Sequence, residues 1–167
     1  MNKWNVEEIT WGEIHPFWAL YLWPGRQMIK PWTPMINTTE YDFSITKKAE
    51  ANFGFYPGVF FGVRTVEGDI VGVNSGHACS STLFRSRGLY VRPEVTGRGI
   101  AQALLIHTAD FARKNGFKKI WSYPRARTIR TYEAAGYTCD KPKEHEAYKK
   151  EDGTMVYRDN AYAEMIL

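Results

Sequence analysis

Runs of apolar residues with two different spacings alternate along the chain. Runs rich in β-branched and aromatic residues, bounded by Gly, Pro or Asp, predict strands at residues 3–9, 59–66, 70–79, 83–92, 119–123 and 161–167. The second and third of these runs are joined by Glu67-Gly68-Asp69, which is typical of a hairpin turn. Together with the intervening helices, these strands predict a mixed α/β sheet.

Residues 97–115 form the clearest predicted helix, because apolar residues recur there at steps of three and four. Its apolar face consists of Ile100, Ala101, Leu104, Leu105, Thr108, Phe111 and Ala112. Further helices are predicted at residues 10–23, 41–52 and 126–135. Thr10 and Glu13 have the spacing of a capping box, although Pro16 is also compatible with a later first turn.

Composition narrows the possible classes of protein. The 167 residues fit one domain, and 44% hydrophobic with 24% charged residues is typical of a folded protein. No apolar run approaches the roughly 18 residues of a membrane span, and residues 1–8 lack the apolar region of a secretory signal. The two cysteines, Cys79 and Cys139, exclude a disulfide framework. We therefore expect a cytoplasmic protein with no membrane partner.

The charge is concentrated in the middle of the chain. Residues 85–130 contain eleven Lys and Arg against two Asp and Glu, a net charge of +9, whereas the whole chain has +4. Solvated helix faces account for about half of these basic residues. The alternative interpretation is a binding site for a polyanion.

Residues 89–101 carry the most chemical information. A strand ends at Pro93, and a short loop leads into the long helix through Gly97 and Gly99. Glycine lets a ligand approach the backbone, and the first amides of a helix have no intrahelical acceptors and lie in positive potential. Such a turn suits a phosphate or pyrophosphate, with Arg98 adding charge. A glycine turn that merely starts a helix is the alternative.

Two motifs in this part of the chain resemble those of the GNAT superfamily of acyl-CoA-dependent N-acetyltransferases. The phosphate motif of that family, Gln/Arg-x-x-Gly-x-Gly/Ala, is similar to Thr96-Gly97-Arg98-Gly99-Ile100-Ala101. The glycine and the final alanine match, and Thr96 stands in the place of Gln or Arg. The preceding segment, Leu89-Tyr90-Val91-Arg92-Pro93, is similar to the strand before that motif.

The second family signature is an Asn-led helix that ends in Tyr-Glu-x-x-Gly-Phe/Tyr. Residues 125–137 match it at Tyr132, Glu133, Gly136 and Tyr137, and Arg125 stands where Asn is common. The two signatures occur in order and at the family's spacing. The resemblance covers residues 59–137.

The resemblance implies a fold and a co-substrate. The fold is a single GNAT-type α/β domain over residues 1–167, with a mixed, mostly antiparallel sheet and a splayed parallel strand pair, about 88–92 and 119–123. Acetyl-CoA would bind between these strands in an acyl-CoA-binding core at 85–137, its pyrophosphate on backbone amides and its thioester carbonyl on an amide near Val91. The implied cofactor-binding residues are Leu89, Tyr90, Val91, Thr96, Gly97, Arg98, Gly99, Ile100, Ala101 and Arg125.

For catalysis, the resemblance points to Tyr132 as the general acid that protonates the leaving thiolate. A phenol with a pKa of about 10 stays protonated at neutral pH. The alternative is an aromatic residue that packs on the sheet. Many relatives carry a basic Glu on the strand before the glycine turn, but residues 83–91 contain no acid. His77 is the candidate base, directly or through water, or it is a structural strand histidine.

The acceptor side is predicted at residues 1–52. Five of the six tryptophans lie in the first 35 residues. They are expected to cover the sheet. The resemblance implies that this region also walls the acceptor pocket, with Trp18 and Trp23 as candidate acceptor-binding residues. No residue there identifies the acceptor.

The resemblance therefore implies an N-acetyltransferase that moves an acetyl group from acetyl-CoA to a small or amino-acid-like amine by direct attack in a ternary complex. One alternative is an acetyltransferase of aminoacyl-tRNA, since an amine of low basicity needs no base. Another is a non-catalytic acyl-CoA-binding domain. The spacing of Cys and His fits no zinc pattern, so no metal is expected. A homodimer through the C-terminal strands is a further expectation from the family.

Overall fold

The computed structural model describes residues 3–32, 58–140, 147–149, 151–152, 155–157 and 161–167. The predicted helix at 41–52 lies outside these residues, as do 33–40 of the predicted acceptor side. The strands are β1 Val6–Ile9, β2 Gly58–Arg64, β3 Ile70–Ala78, β4 Leu83–Val91, β5 Lys119–Ser122, β6 Thr138–Cys139, β7 Ala147–Lys149, β8 Met155–Tyr157 and β9 Ala163–Ile166. The α-helices are α1 Trp11–Phe17, α2 Ile100–Lys114 and α3 Ile129–Ala134. Within the described ranges, no helix is both long enough and apolar enough to span a lipid bilayer.

Seven strands form one mixed sheet in the order β1-β2-β3-β4-β5-β9-β6. The pair β4 and β5 is parallel, and the other neighbouring pairs in this sheet are antiparallel. Strands β7 and β8 pair with each other in a separate two-stranded sheet. The predicted α/β fold, with a mostly antiparallel sheet and one parallel pair, is confirmed.

Both faces of the large sheet are covered. Helix α2 packs on one face through Ile100, Ala103, Leu104, Leu105, Thr108, Ala109 and Ala112. A second cluster on the other face includes residues of α1 and the turn after it, and consists of Ile9, Ile14, Phe17, Trp18, Phe60, Ile70 and Val73. We call these the α2 face and the α1 face.

The predicted helix at 10–23 is two segments rather than one. Its start is as expected, because the Thr10 hydroxyl accepts from the Glu13 amide at 3.2 Å and the Glu13 carboxylate accepts from the Thr10 amide at 2.8 Å. Helix α1 ends at Phe17, and a π-helical turn follows at Trp18–Leu22. Pro16 lies inside α1 and brings no amide donor, which weakens regular α-helical bonding around it.

Two further helix boundaries differ from the prediction. Helix α2 begins at Ile100 rather than at residue 97, because Gly97 and Gly99 have φ angles of +79° and +84° that no α-helix accommodates. The predicted helix at 126–135 divides into a 3₁₀ turn, Ala126–Thr128, and α3.

Candidate active site

Strands β4 and β5 pair over a short distance and then separate. Their parallel register covers Leu83↔Lys119, Phe84↔Ile120 and Arg85↔Trp121. Strand β5 ends at Ser122, whereas β4 continues to Val91. The edge of β4 beyond Arg85 is therefore not paired with β5. The parallel pair is therefore present, with its register at residues 83–85 and 119–121. We call the space beside the unpaired edge of β4 the cleft.

A bend in β4 accompanies the divergence. Gly88 has a φ of +77°, and the register between β3 and β4 shifts opposite it, between Val73 and Ser75. The indole Nε1 of Trp18 donates to the Gly88 carbonyl at 2.9 Å, and Trp18 is fully buried. Trp18, a predicted acceptor-binding residue, therefore packs beneath the bend in β4 and is not on an open surface.

One edge of β4 exposes backbone amides to the cleft. The Arg92 amide donates to the Val71 carbonyl on β3 at 2.9 Å. Because successive amides of an extended strand point to opposite edges, the Val91 amide points away from β3. It is directed to the side from which β5 has diverged, where a carbonyl oxygen can accept from it.

A groove of about 370 Å³ opens at the end of the cleft, between the start of α2 and α3. Its lining includes six of the predicted cofactor-binding residues: Val91, Thr96, Gly97, Gly99, Ile100 and Ala101. The side chain of Gln102 donates to the Ala134 carbonyl at 2.8 Å and ties α2 to α3. The exposed side chain of Arg130 contributes a positive charge to the groove.

The glycine turn presents backbone amides to this groove. The first intrahelical bond of α2 is donated by Ala103 to the Gly99 carbonyl, so the amides of residues 100–102 have no acceptor within the helix. A Cβ at Gly97 or Gly99 would meet nothing within 4 Å, so both glycines border open space. Trp4 donates from Nε1 to the Arg98 carbonyl at 2.7 Å and thereby ties the turn to the residues before β1.

Tyr132 lies on α3 with its hydroxyl at the point of divergence. Its oxygen is 3.2 Å from Ser122 Oγ, and Ser122 Oγ donates to the Ser86 carbonyl at 2.9 Å. Because the one hydroxyl hydrogen of Ser122 is used by Ser86, Tyr132 is the donor in its contact with Ser122. Burial raises the pKa of Tyr132 to about 12, so the phenol holds its proton at neutral pH.

His77, the candidate base, lies on β3, which neighbours β4, and its side chain is on the sheet face opposite that of Tyr132. It is buried near the end of β3, in register with Arg85 of β4. Ser86 follows Arg85 on β4, and its hydroxyl accepts from the side-chain amide of Asn74, which also donates to Thr108 of α2. Ser86 therefore faces α2, whereas Arg85 and His77 face α1. The candidate acid and the candidate base therefore lie on opposite faces of the sheet.

The sequence pattern of the acetyltransferase (GNAT) family matches residues 17–137. The chain belongs to the GNAT acetyltransferase family. The protein is therefore an enzyme of the acyltransferase class, and the family membership that the sequence motifs predicted is confirmed.

Solved GNAT structures share the fold over nearly the whole chain at low identity. One is a phosphinothricin acetyltransferase from Sinorhizobium meliloti in complex with AcCoA, with 15% identity, coverage of 99% of this chain and 89% of that one, and a TM-score of 0.65. Another is the ribosomal-protein-S18-alanine N-acetyltransferase from Escherichia coli, with 18% identity, coverage of 97% of this chain and 92% of that one, and a TM-score of 0.61. A third is a spermidine N-acetyltransferase from Vibrio cholerae in complex with CoA and spermine, with 12% identity, coverage of 97% of this chain and 94% of that one, and a TM-score of 0.60. No curated protein sequence matches the chain.

Four of the predicted cofactor-binding residues of this GNAT protein, and the predicted acceptor-binding residue Trp23, lie outside the groove lining. The ring of Tyr90 stacks on Tyr21 at 4.8 Å on the α1 face, so only its backbone borders the cleft. Leu89 packs against the core cluster on the α2 face. Arg98 is exposed on the glycine turn, and exposed Arg125 donates to the Leu22 carbonyl at 3.4 Å. Trp23 is half-buried beside Trp18, with 5.2 Å between their ring centroids.

Sequence reasoning missed several residues that shape the site. Gly88 had a usable signal, since a single glycine inside an apolar strand indicates a bulge. Ser122 and Trp4 had none, because their partners are 36 and 94 positions away in sequence. Arg87 is one of the eleven basic residues at 85–130, and nothing in the sequence indicates its burial on the α1 face.

Proposed function

We propose that this protein transfers an acetyl group from acetyl-CoA to an amine by direct attack in a ternary complex. The observation that carries the proposal is the cleft itself. It combines free amides on the glycine turn, an outward amide at Val91 and the buried, protonated phenol of Tyr132. The solved relatives that hold AcCoA or CoA support the same choice of co-substrate.

The groove suits the diphosphate part of acetyl-CoA. The amides of residues 100–102 and the backbone of Gly97 and Gly99 are hydrogen-bond donors without side chains in the way. Arg98 and Arg130 add positive charge near them. The open edge of β4 is free to pair with the pantetheine arm as an added strand would.

The reaction assigns a separate role to each group. When bound, acetyl-CoA supplies a thioester whose carbon forms a bond with the amine nitrogen while its bond to sulfur breaks. The Val91 amide is oriented to stabilise negative charge on the carbonyl oxygen. Tyr132 donates its phenol proton to the departing sulfur. We propose His77 as the group that takes the proton of the amine, directly or through water.

The assignment of Tyr132 is tested by removing one oxygen. We expect Tyr132→Phe to lower kcat about 10-fold or more while leaving acetyl-CoA affinity nearly unchanged, because only proton donation is lost. Tyr137→Phe is the matched control. Tyr137 is also buried, and its ring packs against Tyr132 at 5.2 Å. Equal turnover in wild type and Tyr132→Phe would rule out the role of acid.

The co-substrate is tested at the two ends of α2. Gly99 and Gly116 both have a φ of +84°, and an added Cβ meets nothing within 4 Å at either. Alanine should therefore cost each about 1–2 kcal/mol of folding free energy. By calorimetry, we expect only Gly99→Ala to weaken acetyl-CoA binding, by about 10-fold or more, because its methyl group enters the groove. Absence of acetyl-CoA binding in folded wild type would refute the proposed function.

A tRNA-borne acceptor stays a prediction with its own test. Phosphate contacts make the affinity of a protein for tRNA fall steeply as salt rises. A tRNA complex that shows this dependence and is a substrate would favour aminoacyl-tRNA over a small amine. Binding of tRNA that acetyl-CoA displaces would indicate only competition for the basic groove.

A further inference from the structure

The α1 face of β4 carries two buried arginines. Arg85 and Arg87 are 4% and 6% exposed, and they alternate along the strand with Phe84 and Ser86, which face α2. Charged side chains are rarely buried to this degree unless an opposite charge accompanies them. The surroundings of Arg87 therefore need an explanation.

Aromatic rings and one carbonyl surround the guanidinium of Arg87. Its Cζ atom is 4.7 Å from the ring centroid of Trp18 and 4.5 Å from that of Trp23. Its Nη1 donates to the Lys30 carbonyl at 2.8 Å. In the part of the chain that the structure describes, no carboxylate forms an ion pair with Arg87.

Burial of the Arg87 guanidinium costs free energy, because a positive charge is removed from water. Burial, followed by the charges of Arg85 and Arg26, lowers the pKa of Arg87 to about 9, and the side chain is still charged at pH 7. An anion beside the guanidinium would offset the desolvation. The planar fork of arginine matches a carboxylate, because two parallel hydrogen bonds can form.

The position of Arg87 relates this charge to the cleft. Arg87 directly follows Ser86, whose carbonyl accepts from Ser122, and Ser122 contacts the hydroxyl of Tyr132. The side chain of Arg87 projects from β4 at the point where β4 and β5 separate, but on the α1 face, whereas Tyr132 is on the α2 face. A molecule held there is next to the cleft on the side away from Tyr132, where an amine can approach the thioester.

We infer that the acceptor is a small amine that also bears a carboxylate, and that the guanidinium of Arg87, which lies beside Trp18 and Trp23, binds the carboxylate. This inference rests on the proposed function and adds the chemical class of the acceptor. An amino acid esterified to tRNA has no free α-carboxylate, and a positively charged polyamine would be repelled by the buried guanidinium of Arg87. Both are therefore disfavoured as acceptors.

Matched pairs of acceptors test the inference. Acetylation of α-, β- and γ-amino acids is compared with that of their C-terminal amides, which keep the side chain and the amine but lack the negative charge. We expect kcat/KM of wild type to be about 100-fold higher for the best acid than for its amide. In Arg87→Met, KM for the acid should rise until the ratio approaches one, while the rate with the amide changes little.

Arg92→Met is the matched control variant. Arg92 also lies against an aromatic ring, 5.6 Å from that of Phe17, and donates to the Ile70 carbonyl at 3.0 Å. Its side chain, however, is 40% exposed, and its Nη1 is 3.9 Å from the carboxylate of Glu94. We expect the preference for acids over amides to survive in Arg92→Met.

The outcomes separate the inference from the proposed function. Failure of folded wild type to bind acetyl-CoA by calorimetry refutes both. Binding of acetyl-CoA with equal rates for acids and amides, or with turnover of no amino acid, leaves the proposed function in place and overturns the inference. An equal loss for acids and amides in Arg87→Met also overturns it, because Arg87 would then only hold the segment around Lys30.

Discussion

Replacement of Gly88 by alanine perturbs the bend of β4 at its most crowded point. A Cβ at Gly88 would overlap Cε2, Cζ2 and Nε1 of the Trp18 ring, and the φ of +77° is unfavourable for any residue with a Cβ. Trp18 is fully buried, and its ring also packs edge-on against Trp23. The ring cannot move aside without losing its hydrogen bond to the Gly88 carbonyl.

Three contributions set the size of the effect. The left-handed backbone conformation costs an alanine about 1–2 kcal/mol. Displacement of packed side chains in a core costs about 1–3 kcal/mol. Loss of the Trp18–Gly88 hydrogen bond adds about 0.5–1.5 kcal/mol. We expect Gly88→Ala to lower the free energy of unfolding by roughly 3–6 kcal/mol, a large fraction of the stability of a domain of this size.

Urea unfolding followed by tryptophan fluorescence and circular dichroism measures this change. Gly68→Ala is the matched control, because Gly68 has a φ of +95° in the β2–β3 turn and an added Cβ meets nothing within 4 Å. That variant should lose only the conformational contribution, about 1–2 kcal/mol. Equal destabilisation of the two variants would refute the reasoning, since Trp18 would then not oppose a Cβ at Gly88.

Three further predictions concern the groove and the acid. Trp4→Phe removes the donor to the Arg98 carbonyl, and we expect acetyl-CoA Kd to rise about 3–10-fold in calorimetry at unchanged kcat. Ser122→Ala removes the partner that orients Tyr132, so kcat should fall about 10-fold in steady-state assays while acetyl-CoA affinity is kept. Because burial raises the pKa of Tyr132 to about 12, the donor form persists as pH rises, and kcat should show no Tyr132-dependent fall below about pH 10. A fall in that range which Tyr132→Phe abolishes would contradict the raised pKa.

The sequence by itself determined the elements that depend on near neighbours. The capping box of Thr10 and Glu13, the hairpin at residues 67–69 and the stripe of α2 were predictable, because their partners lie within a few positions. The glycine turn and the helix that contains Tyr132 were also recognisable. Backbone conformation there is set by glycine and by helical periodicity, and the family signature adds the order of the two segments.

Boundaries were less predictable where two local tendencies compete. Residues 10–23 have a helical pattern throughout, but Pro16 lacks an amide and the helix widens into a π-helical turn after it. The predicted helix start at Gly97 was early for a similar reason. A glycine is compatible with a helix in sequence, and its choice of positive φ depends on the turn that follows β4.

Only the tertiary structure decided how these elements combine into a site. The divergence of β4 from β5, the link from Ser86 through Ser122 to Tyr132, and the contact of Trp18 with Gly88 join residues up to 70 positions apart. The burial of Arg87 depends on the same assembly of sheet and helix. Residue type states what each side chain can do, but its neighbours, its burial and hence its charge balance are set by contacts that exist only once the chain has folded.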